Sequence, residues 1–198
     1  LGVSNYELKH TNFLGWLLDP NESHDLGNLF LTRFLTEVFL DERSEEISLL
    51  EIGKIDAYEI EVRREWKNID LLIVSNEFVV CIENKIWAKE SKDQLRKYKS
   101  IVDDNFKDKK KVFVFLTPYG DEASLNDIYI NISYNSVIST LENIVNNRKK
   151  IIGESILTYI EDYISILKQV LMKNENVNQW ASELYKNHRE LFDFVWEN

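Results

Sequence analysis

The chain has 198 residues, of which 44% are hydrophobic and 12% aromatic, and its formal net charge is −10. This balance is typical of one globular domain with a sizeable core, and the acidity argues against a general nucleic-acid-binding protein. No apolar run reaches the roughly 20 residues of a transmembrane helix, and a single cysteine excludes a disulfide framework.

The first predicted element is a helix over residues 4–19, with a proline directly after it. Ser4 and Glu7 have the spacing of a capping box, so Glu7 has two interpretations of equal weight, a helix cap or a metal ligand. His10 lies on the same face as Glu7. It could contact a phosphate, although a hydrogen-bonded structural histidine is the favoured interpretation.

Three further segments precede the centre of the chain. Residues 26–40 carry apolar side chains at helical spacing and predict a second amphipathic helix. Residues 41–53 are acidic and predict a connector. Residues 58–66 predict the first strand of a sheet.

Two apolar stretches, 69–74 and 78–86, predict a β-hairpin with its turn at residues 75–77. If the turn is centred between its last two residues, Asp70 lies directly opposite Glu83. Their Cβ atoms are then about 5 Å apart. A shift of one residue in the register would break this pairing.

Strand alternation places Glu83 and Lys85 on one face with Asp70, whereas Asn84 points to the other face. Opposed carboxylates repel each other unless a cation lies between them. A surface hairpin with a polar side fits poorly because the same face carries apolar side chains, and ionisable groups in such strands need a partner or a function. The hairpin therefore predicts a divalent-metal site beside an ammonium group, an arrangement suited to phosphodiester cleavage.

A helix is predicted over residues 87–104. Gln94 and Tyr98 lie one turn apart on it, either at the site or as an ordinary packed face with the glutamine exposed. Residues 85–111 hold ten cations and five anions, a local charge of +5. Four of the cations recur at helical spacing and form one stripe: Lys89, Lys92, Arg96 and Lys99. The stripe either binds along a DNA strand or is an ordinary solvated helix face.

The apolar stretch 111–117 follows that helix and predicts a β-α-β crossover with a parallel strand pair. A strand over 127–133 and a helix over 134–147 come next. The expected fold is α/β, with helices around a mixed central sheet. We divide the chain into a core, 1–150, and a C-terminal helical extension, 151–198, whose aromatic side chains suit either core packing or an interface with a second copy or a partner protein.

The order of these residues resembles the PD-(D/E)XK nuclease superfamily. Ile69-Asp70 stands where the family has its "PD" half, and Glu83-Asn84-Lys85 stands as its E-x-K. The segments YELKHTNFLGWLLDPNESHDLG, QLRKY, FLTPYG and ISYNSVI, in this order, resemble a branch of the superfamily found in bacteria and phages. The resemblance covers roughly residues 4–140 and implies a restriction-endonuclease-like core.

By this resemblance, Asp70 and Glu83 are ligands of Mg²⁺ or Mn²⁺, joined by the main-chain carbonyl of Asn84. Glu7 matches the acidic residue of the family's first helix, which commonly completes the metal site. Lys85 matches the residue that orients or helps to deprotonate the attacking water. Because a lysine beside two carboxylates normally stays protonated, stabilisation of negative charge suits it better than a role as a free base.

Gln94 and Tyr98 match the Gln-x-x-x-Tyr element that supports the site and the DNA strand in exonuclease-like branches. The resemblance thus implies a Mg²⁺-dependent nuclease, acting on DNA, in phage defence or DNA processing. The alternative is a catalytically silent binding or scaffold subunit with the same fold, and a third interpretation is an RNA-cleaving effector. The single cysteine and the lack of a signal peptide in this sequence favour the cytoplasm.

Overall fold

The computed structural model describes residues 3–44, 47–87, 90–91, 93–172 and 188. Within these ranges the chain forms six α-helices and five strands. The helices are α1 (Val3–Leu18), α2 (Leu29–Phe39), α3 (Leu49–Ile52), α4 (Gln94–Asn105), α5 (Tyr134–Arg148) and α6 (Glu154–Met172). The strands are β1 (Glu61–Trp66), β2 (Ile69–Val74), β3 (Phe78–Asn84), β4 (Lys110–Thr117) and β5 (Tyr129–Ser133).

The strands form one mixed sheet in the order β1-β2-β3-β4-β5. The pairs β1–β2 and β2–β3 are antiparallel, and β3–β4 and β4–β5 are parallel. The connection from β3 through α4 to β4 is the predicted β-α-β crossover. This arrangement confirms the predicted α/β fold with a restriction-endonuclease-like core.

The two faces of the sheet are covered unequally. On one face the strands and helices α1, α2, α5 and α6 share a single large apolar cluster, which includes Leu71, Ile82 and Val114. On the other face the neighbouring strand positions, such as Leu72 and Cys81, pack mainly against α4 through a smaller cluster. Both faces of β2 and β3 are therefore buried, which explains why their sequences are almost continuously apolar.

Two boundaries differ from the sequence-based expectation. β1 begins at Glu61, after a short 3₁₀ turn at Ala57–Glu59 that the sequence did not reveal. α4 begins at Gln94 rather than at residue 87, and Asp93 before it has a left-handed φ of 62°. The described residues between 87 and 93 are therefore not helical, in contrast to the prediction.

Helix α6 packs into the same cluster as the sheet through Ile160, Tyr163 and Leu167. The division between residues 150 and 151 stays a prediction. The aromatic side chains expected near the C-terminal end lie outside the described residues. Residue 188 is described there, and it is a histidine. None of the described helices is both long and apolar enough to span a membrane.

Candidate active site

The β2–β3 hairpin has the predicted register. Leu71 pairs with Ile82 and Leu72 pairs with Cys81, and this register continues to Asp70 opposite Glu83. The turn is closed by the Ser75 N–H, which donates to the Phe78 carbonyl at 2.9 Å. Asp70 and Glu83 therefore lie side by side at one end of the hairpin, on the face that α4 covers.

Glu83 is fully buried, with 0% of its surface exposed. Its Oε1 atom lies 2.7 Å from the Lys85 ammonium nitrogen. Its Oε2 atom has no hydrogen-bond partner in the described part of the chain. Burial and the neighbouring negative charge of Asp70 raise the pKa of Glu83 to about 8. The site thus holds a buried carboxylate that the protein does not neutralise fully by itself.

Asp70 is held by the polypeptide at the end of β3. Its Oδ2 atom accepts the main-chain N–H of Asn84 at 2.7 Å. Burial raises the pKa of Asp70 to about 6, against the lowering effect of that hydrogen bond and of the Lys85 charge. Two adjacent carboxyl groups with raised pKa values mark a place where negative charge accumulates at a cost.

In the described part of the chain, Lys85 forms the ion pair with this pair of carboxyl groups, through Glu83. Burial alone would lower the pKa of its ammonium group, but the charges of Glu83 and Asp70 outweigh burial and raise it. Lys85 therefore stays protonated near neutral pH. One ammonium cannot fully offset two carboxylates, so the local charge favours a further cation.

The donor set suits a hard divalent cation. Among the described residues, no three His, Cys, Asp or Glu side chains group closely enough to form a metal cage of their own. Mg²⁺ does not need such a cage, because it keeps several waters and binds proteins through one or two carboxylates. Asp70 and the unpartnered oxygen of Glu83 fit this requirement, and the Asn84 carbonyl stays a predicted third ligand.

Glu7 approaches the site from α1. Its Oε1 atom accepts the main-chain N–H groups of Ile86 at 3.2 Å and Trp87 at 3.0 Å. α1 already includes Ser4, so Ser4 does not precede the helix as the capping box would require. Glu7 thus holds the segment after Lys85, and its role as a metal ligand stays a prediction.

Gln94 and Tyr98 lie together at the start of α4. The Gln94 amide donates to the Tyr98 hydroxyl at 2.9 Å and accepts from the Ser91 hydroxyl at 2.7 Å. Tyr98 is 5% exposed, and burial raises its pKa to about 12, with smaller contributions from the charges of Glu83 and Asp70. Tyr98 therefore lies within electrostatic reach of the two carboxyl groups, and a role of the pair at the site stays a prediction.

The predicted basic stripe is only partly covered by the described residues. Lys89 and Lys92 lie outside the described residues and precede α4. Arg96 is exposed, 3.7 Å from Asp93. Lys99 forms an ion pair with Asp103 at 2.6 Å. A role of these four residues in nucleic-acid binding stays a prediction.

His10 is enclosed in the core, which favours the interpretation of a structural histidine over contact with a phosphate. His10 is 1% exposed and packs edge-on to the Trp87 ring at 5.1 Å between ring centroids. Its Nδ1 atom lies 3.4 Å from the Tyr163 hydroxyl. Burial lowers the pKa of His10 to about 3, so the ring is neutral and enclosed by the core.

Sequence reasoning missed Glu65. The register between β1 and β2 places it directly opposite Asp70, between the pairs Arg64–Leu71 and Trp66–Ile69. Its φ of 52° is in the left-handed region, which interrupts the strand. Its charge helps to raise the pKa of Asp70. Counting back across the turn at residues 67–68 would have found this neighbour.

The comparisons with known proteins agree with this geometry. Residues 1–186 match a family of the PD-(D/E)XK nuclease superfamily. Neither the curated proteins nor the solved structures gave a match. Since the family match covers nearly the whole chain, the chain belongs to the PD-(D/E)XK nuclease superfamily.

Proposed function

We propose that the protein is a nuclease that requires Mg²⁺ or Mn²⁺ and hydrolyses phosphodiester bonds of DNA. The observation that carries this proposal is the buried Glu83 carboxylate, which faces Asp70 and has one oxygen without a hydrogen-bond partner among the described residues. A divalent cation is the group that this pair of oxygens suits best. When bound there, it supplies charge neutralisation at the phosphate and a more acidic water.

In this proposal each side chain has one task. Asp70 and Glu83 hold the cation through oxygen atoms of opposite strands. Lys85, which stays protonated, stabilises the negative charge that develops on the phosphate. The hydrogen-bonded pair Gln94 and Tyr98 borders the carboxylates and supports the bound strand from α4.

The test is digestion of end-labelled double-stranded DNA, single-stranded DNA and RNA in Mg²⁺, in Mn²⁺ and in a chelator. We expect cleavage of DNA that depends on the metal. Asp70→Asn and Lys85→Met should abolish it while circular dichroism stays that of the parent. Lys168→Met, which removes an equivalent ammonium from an exposed ion pair with Glu142, is the matched control and should cut normally.

Three results would contradict the proposal. Cleavage by Asp70→Asn at the parent rate would exclude the site. Cleavage of RNA alone would exclude DNA as the substrate. An inactive parent that also binds no Mn²⁺ at millimolar concentration would favour the silent scaffold subunit.

The cellular role that we propose is phage defence or DNA processing in the cytoplasm, and it rests on the resemblance to a bacterial and phage branch of the superfamily. A plaque assay tests the first alternative. Expression of the parent in a susceptible bacterium should reduce plaque numbers, whereas Asp70→Asn should not. Equal plaque numbers for both would exclude a defence role against the phages used.

A further inference from the structure

Asn84, the residue between Glu83 and Lys85, has both ends of its side-chain amide bound on the opposite face of the sheet. It is 1% exposed. Its Nδ2 atom donates to Thr11 Oγ1 at 2.9 Å, and its Oδ1 atom accepts from the Tyr134 hydroxyl at 2.8 Å. Three elements that are far apart in the sequence, α1, β3 and α5, therefore meet at this amide.

The same residue connects directly to the predicted metal site through its main chain. Its N–H donates to Asp70 Oδ2 at 2.7 Å. The following N–H, of Lys85, donates to the Leu116 carbonyl on β4 at 2.9 Å. The Asn84 Cα thus joins two peptides, one whose N–H binds Asp70 and one whose N–H belongs to Lys85, and the hydrogen bonds of the Asn84 side chain fix the position of this Cα.

Core packing alone does not call for an asparagine at this position. The preceding positions on the same face are Val80 and Ile82, and an apolar side chain of similar size would fill the space with no polar group to satisfy. A buried amide instead requires a partner for each end, since an unpaired one is costly. Burial raises the pKa of Tyr134 well above its ordinary value, so its hydroxyl keeps the proton that it donates.

We propose that Thr11 and Tyr134 are positioning residues for the metal site. Through Asn84 they hold the end of β3 in the conformation in which Asp70 and Glu83 can bind one divalent cation. This inference rests on the proposed function and adds to it two residues that touch neither metal nor substrate. Partners of this kind typically contribute 10–100-fold to metal affinity.

The experiment is titration calorimetry with Mn²⁺ on the purified chain, without nucleic acid. Thr11→Val and Tyr134→Phe each remove one hydroxyl and keep the shape of the side chain. We expect the dissociation constant for Mn²⁺ to rise about 10-fold or more in each variant. Circular dichroism should show that both variants are folded.

Two control variants lose a hydroxyl elsewhere. Thr36→Val removes a hydroxyl that donates to the Thr32 carbonyl at 2.7 Å within α2. Tyr129→Phe removes one that donates to the Leu95 carbonyl at 2.9 Å. Both control variants should bind Mn²⁺ with the dissociation constant of the parent.

A double-mutant cycle separates positioning from packing. Asn84→Leu removes the amide through which the two residues act. On that background Tyr134→Phe should weaken Mn²⁺ binding no further, because coupled residues are not additive. A residue that supports only the core would weaken binding equally on both backgrounds.

The outcomes distinguish the two proposals. If the parent binds Mn²⁺ and Asp70→Asn does not, but Thr11→Val and Tyr134→Phe bind it as the parent does, the positioning role is wrong and the site stands. Equal weakening by the control variants would also overturn the positioning role. A parent that binds no Mn²⁺ at millimolar concentration overturns the metal site and this inference together.

Discussion

Glu83 and Asn84 are neighbours on β3, both almost completely buried, yet the two faces of the sheet treat them differently. On the face covered by α1 and α5, the Asn84 amide has a partner at each end. On the face covered by α4, one oxygen of Glu83 has no partner among the described residues. Since the chain satisfies one buried polar group and leaves its neighbour incomplete, the incomplete one marks the place for an external ligand.

The two faces also differ in the groups that surround their buried titratable side chains. Burial raises the pKa of Glu83 to about 8 and lowers the pKa of His10 to about 3, so both sites disfavour charge. His10 has aromatic neighbours that suit a neutral ring. Glu83 faces a second carboxyl group, so a cation close to both is what favours its charged form.

The largest effect is expected for Glu83→Gln. This variant should lose more than about 100-fold in cleavage rate, since it removes a direct metal ligand. Without metal it should unfold at a higher temperature than the parent at pH 8, because it removes a buried carboxylate that faces Asp70. Cleavage rates and thermal unfolding in a chelator measure both effects.

The control for that variant is Glu61→Gln. Glu61 is an exposed β1 residue paired with Arg63 at 2.8 Å, and its replacement should change neither property markedly. A Glu83→Gln protein that cuts normally and unfolds earlier than the parent would mean that the carboxylate is structural.

A second prediction concerns pH. In the folded, metal-free protein the pKa values of Asp70 and Glu83 are raised to about 6 and about 8. A raised acid pKa stabilises the fold fully below the ordinary pKa of the unfolded chain, and this stability is lost as pH rises through the folded-state values. The stability advantage of Glu83→Gln over the parent should therefore grow from pH 5 to pH 8.5.

Chemical denaturation at several pH values measures this difference, once in a chelator and once in about 10 mM Mg²⁺. This concentration is about ten times a millimolar dissociation constant, so bound metal should stabilise the folded state. Mg²⁺ should stabilise the parent at pH 8 and leave Glu83→Gln nearly unchanged. A stability difference that does not vary with pH would contradict the account of two opposed carboxyl groups.

The other face should respond to pH in the opposite direction. The folded-state pKa of His10 lies below its ordinary value of 6.5. Its contribution to stability is complete above about 6.5 and is lost as pH falls toward about 3, because only the unfolded chain takes up the proton. His10→Phe should therefore lose less free energy of unfolding than the parent between pH 7 and pH 5. An equal loss in both proteins would contradict the enclosed, neutral ring.

The smallest effect is expected for Arg96→Gln on the exposed side of α4. If Arg96 contacts a phosphate, DNA affinity should fall several-fold and the dependence of log affinity on log salt should decrease by about one. Stability should change by less than about 0.5 kcal/mol. Lys149→Gln, which removes an exposed cation paired with Glu161 between α5 and α6, is the control. Equal DNA affinity of Arg96→Gln and the parent in low salt would exclude this contact.

The hairpin could be predicted because its information is local. A short turn and the two-residue period of a strand fix which residues lie opposite each other, so Asp70 and Glu83 followed from counting. The start of α4 could not be predicted in the same way. Its basic residues have helical spacing, but the left-handed backbone at Asp93 sets the boundary.

The rest of the site depends on contacts between distant parts of the chain. Asn84 is 73 residues from Thr11 and 50 from Tyr134, so no local pattern connects them. The sequence favoured a structural role for His10 but could not identify its partner, since Tyr163 is 153 residues away. The burial of this side chain against α6 became visible only in the folded chain.

The most direct test of the central claim is anomalous diffraction from crystals soaked in Mn²⁺. The account predicts one peak between the carboxylates of Asp70 and Glu83, and no peak there in crystals of Glu83→Gln. A soaked parent crystal with no peak at these two side chains, or the same peak in the variant, would contradict it.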